Sequence, residues 1–388
     1  MTARRTTTTT GWAGVVALGV LTITSYGSWF YAFGVLIDPI TTDTGWTTTA
    51  LGITFGAAQV LTGFGAFLGG RLLDRFDAPG PFLTQAVVGG GLLFVASATQ
   101  QVWLFAIAYA LGAGVIGGTG FYNVTTAAAA RLRPDQPEQA IARLTIIGAF
   151  CSPIYLPFTA WLVTTTDWRT SMRILAALAV CGALLAATFA RGARSAGDGP
   201  SADPIAAMRA AVGRPEVRRM LAVYLLAGIA FASVLVYQVP VMTAVGLSLG
   251  TAGAIGGLRG FCQVFGRVGL TGLIDRFGVR ALLRTAYAIT AIGILLLPIG
   301  SVGTGVAYAV LAGVGLGATS PLQAMYAREH FDEADLGLLM GLQGAALGVA
   351  GGIGPLLGGI FFDTTGSWLP IVIISGIAAT GAATLLRS

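Results

Sequence analysis

The 388-residue chain has no lysine, one histidine (His330) and three cysteines, Cys151, Cys181 and Cys262. Charged residues make up 10% of it, against about 25% in an ordinary soluble domain. Each scarcity removes a class of function. The cysteines fall inside apolar runs with neither metal-ligand spacing nor a disulfide framework. The 16 acidic residues all lie in loops or at the ends of apolar runs. An intramembrane hydrolase would need a paired base, nucleophile or metal set, and the runs hold no His, Asp or Glu to make one. An exporter of cationic drugs would want a buried acid, and none is placed for it. No enzymatic activity, cofactor or metal is expected. His330 sits in the charged turn AREHFDEAD and reads as a solvated loop residue.

What is abundant is apolar sequence. Hydrophobic residues make up 55% of the chain, and the mean hydropathy is +0.80. Twelve runs reach the roughly 20 residues needed to cross a bilayer: about 12–39, 47–71, 80–98, 102–127, 138–164, 169–190, 219–243, 251–274, 280–300, 303–327, 336–362 and 367–386. Arg4 and Arg5 precede the first run, which lacks a small-residue cleavage site and so reads as a membrane helix rather than a signal peptide. A charged Pro/Gly/Ser stretch over 191–218 separates six runs from six. The expected domains are therefore a bundle over 1–190, a linker over 191–218 and a bundle over 219–388.

The halves repeat one another. Leu73-Asp74-Arg75-Phe76 recurs 201 residues later as Ile274-Asp275-Arg276-Phe277, and Pro39 recurs at the same offset as Pro240. Pro153 pairs with Pro355, and Trp168 with Trp368, at nearly the same spacing. Parallel six-helix halves with substrate bound between them at mid-membrane are a transporter architecture.

All 22 basic residues are arginine, for a net charge of +6. In a soluble protein this balance would suggest nucleic acid; here it reads as loop charge that sets orientation, with no nucleic-acid partner. With the N-terminus inside, 18 arginines fall on the inner side, and only Arg169 and Arg173 on the outer. The positive-inside rule then places both termini and the linker in the cytoplasm of a cell (inner) membrane.

Two arginines remain inside a run, Arg259 and Arg267. A guanidinium does not lose its proton in practice. At a bilayer centre it costs at least about 2.5–3.5 kcal/mol, so it normally faces a bundle interior and marks a functional site. On a continuous helix, Arg259, Gln263 and Arg267 stack along one side. Arg267 is the leading candidate to pair a substrate anion, with capping of backbone carbonyls at a helix interruption as its structural alternative. Arg259 lies nearer the outer end and can snorkel to the interface. Tyr31, Tyr122, Asn123, Tyr155, Tyr237, Gln238 and Gln343 either line a cavity or bond between helices. Asp74, Arg75, Asp275 and Arg276 sit at the cytoplasmic mouth and read as conformational latches.

GGRLLDRFDAPG (69–80) and TGLIDRFGVR (271–280) resemble the loop signature of the major facilitator superfamily, over the full chain. Within it, the stretch from Tyr31 to Phe76 resembles the monocarboxylate-transporter-like branch and its relatives in the oxalate–formate antiporter group. Gly11-Trp12 with Val15-Val16 echoes that branch's first-helix motif. The resemblance implies an eighth helix carrying an Asp, an Arg four residues on, and a loop start eight residues later. Here these positions are Gln263, Arg267 and Asp275, so the Asp is replaced; a first-helix lysine of some members falls at Tyr31.

The expectation is an all-α membrane protein of twelve helices in two pseudo-symmetric bundles. It would carry a small organic anion, most simply a monocarboxylate, by alternating access, with Arg267 and Gln263 at the site. Gln263 cannot titrate. Coupling is therefore expected through a counter-anion, or through a proton carried on the substrate or on Asp38. An exporter of a neutral or amphipathic metabolite or drug, and a non-transporting sensor, are the alternatives. In a Cys-free background, a cysteine at Ser201 should escape a membrane-impermeant maleimide added outside, and one at Thr165 should react. Outside labelling at Ser201 would invert the topology.

Overall fold

Inside a bilayer no water satisfies backbone N–H and C=O groups, so a spanning chain must bond them within its own helices. The computed structural model describes residues 3–76, 79–191, 209, 211–330 and 333–386. Among these, all regular structure is helical. The chain divides into two compact units, Met1–Asp198 and Gly199–Ser388.

The first unit contains α1 (Ala3–Ser25), a π-helical segment (Tyr26–Tyr31), α2 (Ala32–Thr44), α3 (Thr48–Phe76) and α4 (Pro79–Thr84). A second π segment (Gln85–Gly89) leads into α5 (Gly90–Ala98), α6 (Val102–Gly120) and α7 (Tyr122–Leu132). The unit ends with α8 (Pro137–Ala149), α9 (Cys151–Thr165) and α10 (Trp168–Phe189). These segments join into six spans. The second unit contains α11 (Pro215–Ala244), α12 (Leu249–Phe265), α13 (Leu270–Phe277) and α14 (Val279–Leu296). It ends with α15 (Val302–His330), α16 (Glu333–Thr365) and α17 (Leu369–Leu385). Ten helical spans among the described residues are long and apolar enough to cross a membrane. The α12–α13 segment and the 17-residue α17 complete six per unit.

Each unit has its own apolar core. Val15, Leu18, Leu21, Phe82 and Leu144 are buried together in the first, and Val223, Tyr224, Leu283, Tyr287 and Leu322 in the second. Large apolar side chains also stand outside, among them Phe64, Val87 and Ile377, as expected where the surrounding solvent is lipid.

Lipid gives helices no hydrophobic reason to associate, so small residues that let backbones meet carry the packing. A Cβ on Gly65 of α3 would stand 2.5 Å from the Gly114 carbonyl oxygen and 3.1 Å from Gly118 Cα, both on α6. The second unit repeats the device. A Cβ on Gly313 of α15 would lie 2.5 Å from the Arg259 carbonyl oxygen. One on Gly317 would overlap the Gln263 backbone, and one on Gly266 the Val314 carbonyl oxygen. Gly65 and Gly266 are 201 residues apart, and Gly114/Gly313 and Gly118/Gly317 are each 199 apart.

The structure corrects the eighth span. The apolar run predicts a continuous helix over 251–274, but α12 stops at Phe265 and α13 begins at Leu270. Gly269 lies between them with φ +74°, a left-handed conformation that costs glycine little. Arg267 therefore lies past the end of the helix that carries Arg259 and Gln263, not stacked beneath them.

The glycine contacts make a prediction. Gly118→Ala should lower the melting temperature in detergent, at a cost of about 1–3 kcal/mol for forced overpacking. Gly63→Ala on α3, where an added Cβ meets nothing within 4 Å, should not. Equal losses in both would show that the crossing is not limited by backbone approach.

Candidate functional site

The second unit holds a buried cation at mid-span. α12 is started by Ser248, whose hydroxyl accepts from the Thr251 N–H at 3.2 Å. Arg259 comes ten residues after Leu249, about 15 Å along the axis at 1.5 Å per residue, or half the roughly 30 Å hydrocarbon core. Its exposure is 0%. Arg259 Nε donates to Gln238 Oε1 on α11 at 3.1 Å. Tyr308 of α15 donates its hydroxyl to the same oxygen at 2.9 Å, and Gln238 Nε2 donates to the Leu235 carbonyl at 3.1 Å. One amide oxygen thus receives a guanidinium and a phenol. Arg259 does not snorkel to the interface; its side chain is drawn inward by an acceptor on a neighbouring helix.

Arg267 is exposed, in the turn between α12 and α13. Its Nε donates to the Gly317 carbonyl at 3.4 Å, and among the described residues it forms no ion pair. Gln263 is half-buried in the last turn of α12. Since Gly317 also abuts the Gln263 backbone, α15 supports both sides of the helix break.

A second polar chain lies in the same unit. Gln343 Nε2 donates to Gln323 Oε1 at 2.8 Å, and Gln323 Nε2 donates to the Tyr287 hydroxyl at 2.8 Å. It joins α16, α15 and α14.

The first unit holds a largely buried aromatic cluster instead. Helix α6 ends at Gly120, and Phe121 takes an extended backbone (φ −82°, ψ 165°) before α7 starts. The Phe121 ring stacks on Tyr26 with centroids 3.5 Å apart and planes within 2°. It also runs parallel to Trp29 at 5.5 Å. Tyr26 and Trp29 belong to the π segment, a feature that often accompanies functional sites.

The sequence candidates fall into separate environments. Tyr31 is half-buried and meets Phe30 edge-on at 5.0 Å, while Tyr122 is half-buried beside Tyr26 at 5.5 Å, so these two join the aromatic group. Asn123 is exposed on α7. Tyr155 is buried, packed against Gly27. Tyr237 is 1% exposed, with its hydroxyl bonded to the Pro355 carbonyl; it ties α11 to α16. Asp275 and Arg276 are exposed on α13, with the Arg276 guanidinium 5.2 Å from the Phe277 ring. The side chains of Asp74 and Arg75 lie outside the described residues. Sequence reasoning misses Tyr308, Gln323, Tyr26 and Phe121. The signal for the first two is a polar residue in mid-span, and for Tyr26 the aromatic run YGSWFY.

The family model of the Major Facilitator Superfamily matches residues 18–248 and again 220–387. The chain belongs to the Major Facilitator Superfamily. As a facilitator it is a multi-pass membrane transporter for a small solute and not an enzyme. A point mutant of the nucleoside transporter NupG is similar in structure, with a TM-score of 0.80, 13% identity, and coverage of 96% of this chain and 99% of that one. Unmutated NupG gives a TM-score of 0.78 at 13% identity, covering 98% and 99%. At that identity the likeness is one of fold. None of the curated proteins matches significantly. The matches stop at the superfamily and do not extend to the monocarboxylate-transporter-like branch.

The Arg259 arrangement is testable in this facilitator. Gln238→Leu removes a neutral acceptor from a buried guanidinium and should cost about 1–3 kcal/mol. Adding Arg259→Met should recover part of it, since a paired apolar replacement leaves no stranded charge. Thermal unfolding of the single and double variants in detergent reads this directly. A double variant less stable than Gln238→Leu alone would contradict it.

Proposed function

We propose that this facilitator carries a small organic anion, a monocarboxylate in the simplest case, with Arg267 as the pairing cation. The observation that carries the reading is the break in the eighth span. It leaves the Arg267 guanidinium exposed, with a single long backbone bond at Nε among the described residues. Its Nη edge is then available for the bidentate, charge-assisted contact a carboxylate makes best. Discontinuous helices are where secondary transporters commonly build substrate sites. Arg259, eight residues earlier, adds a second fixed positive charge on the same segment. The sequence places no carboxylate inside the spans to cancel either one. Gln263 contributes a neutral amide. Asp275 and Arg276 act as latches at the arginine-rich end. Coupling runs through a counter-anion or a proton.

A specific observation favours a second reading. Half-buried Tyr26, Tyr31 and Tyr122 rim the buried Phe121 and Trp29 rings, and tyrosine faces of that kind suit a planar, neutral solute. A nucleoside, the solute class named for NupG, is one such solute.

Proteoliposome uptake separates the two. Radiolabelled lactate, pyruvate, formate and oxalate are tested beside uridine and adenosine. The anion reading expects uptake of at least one carboxylate. It expects Arg267→Lys to lower that uptake by about tenfold or more, since a charged hydrogen bond contributes about 1.5–3 kcal/mol. Lys keeps the charge but loses the planar fork. Arg267→Ala should abolish uptake while the protein stays folded. Carboxylate uptake that persists in Arg267→Ala would sink the proposed pairing, and nucleoside uptake alone would favour the second reading.

A further inference from the structure

The arginine-rich end of the first unit carries an arrangement that the transport reading does not use. Trp12 lies near the start of α1, at the edge of the span that begins at Gly11. Two guanidinium carbons stand over its indole ring, Arg133 at 4.3 Å and Arg143 at 3.9 Å from the centroid. Cation–π attraction holds each of them there. Arg133 is almost wholly buried and has a carboxylate of its own. Its Nε and Nη2 donate to Asp135 at 2.9 and 2.6 Å, and this bond holds the Asp135 carboxyl below its usual range.

Arg143 is different. It is exposed on α8 and forms no ion pair among the described residues. Glu138, the nearest acid on its helix, is five residues away and so about 140° around the axis. Further along the same span, across the junction of α8 and α9, Ile146 is 63% exposed, Phe150 44% and Ile154 48%. Beside it on α1, Val16 is 52% exposed below Trp12. A cation with an unmatched charge thus heads an apolar track, next to a tryptophan of the kind that sits at headgroup depth.

The geometry points to a seat for one anionic phospholipid, with its phosphate on Arg143 against the Trp12 edge and an acyl chain along Ile146, Phe150 and Ile154. Basic pockets between spans are the sites where anionic headgroups settle. A free phosphate ion would satisfy the charge but make no use of the apolar stripe, so the lipid is the better fit. This site is independent of the anion-transport reading, and its test needs no transport substrate.

The full chain is purified in mild detergent and exchanged against phosphatidylglycerol or phosphatidylcholine, and bound lipid is counted by native mass spectrometry. A parallel arm adds inorganic phosphate. Wild type should retain phosphatidylglycerol over phosphatidylcholine. Arg143→Gln should weaken that retention about fivefold, the effect of about 1 kcal/mol for one arginine near the surface. Arg143→Lys should keep most of it. Arg218→Gln removes an equal charge from an exposed position in the other unit and should change nothing. Equal loss in Arg143→Gln and Arg218→Gln would reduce the effect to net charge and overturn the seat, as would no preference for phosphatidylglycerol in wild type. Displacement of the lipid by millimolar phosphate would reassign the site to a free anion. Arg143 is exposed, so failure of its variants to fold would itself contradict the surface role given to it.

Discussion

Backbone-to-backbone contact at glycine is the constraint on which the rest of the structure depends. Helices surrounded by lipid bury no extra apolar surface by moving from tails to each other, so they must gain dispersion contact by close approach. Gly65, Gly114 and Gly118 provide that approach in the first unit, and Gly266, Gly313 and Gly317 in the second. The matching offsets make this a repeated device, used once in each half.

In the second unit the same contact fixes the chemistry. Gly313 holds the Arg259 backbone against α15, and Tyr308, five residues earlier on α15, donates to the oxygen that receives the Arg259 side chain. One helix therefore positions both ends of the arginine. Further along, Gly317 abuts the Gln263 backbone and supplies the carbonyl to which Arg267 donates. The first unit has no arginine at the corresponding place and stays continuous through α3. The break in the eighth span is thus where the two halves, alike in their packing, become unlike in their chemistry.

Much of the architecture is legible in the sequence because it rests on composition. Twelve apolar runs and the DRF repeat need only hydropathy and spacing. The break at Gly266–Gly269 is not legible, because the apolar run continues through it and 57 glycines give no reason to single out two. Arg267 is misplaced for the same reason, by a helical wheel the chain does not follow. Arg259 is misjudged for another. Its burial depends on Gln238 and Tyr308, which lie 21 and 49 positions away, and no local pattern reveals an acceptor on another helix. The branch resemblance rests mainly on Tyr31–Phe76 and the first helix, and in the eighth helix the substitution at Gln263 already sets this chain apart.

The π segment in the first helix has a consequence for comparing this chain with others. A wider turn takes up one residue more than an α-turn of the same height, and each added residue rotates the remainder of the helix by about 100°. Val15, Leu18 and Leu21 before it, and Phe33, Leu36 and Ile40 after it, are all buried; at 100° per residue these positions would share about a 120° arc of a straight α-helix, so the wider turn sets the second group on a face rotated from the first. A relative whose first helix lacks the extra residue would keep both buried faces and align with a single gap between Ser25 and Ala32. Such a gap inside a membrane span would record a change of winding rather than a loop deletion, and pairing residues across it without the gap would assign every position on one side to the wrong face.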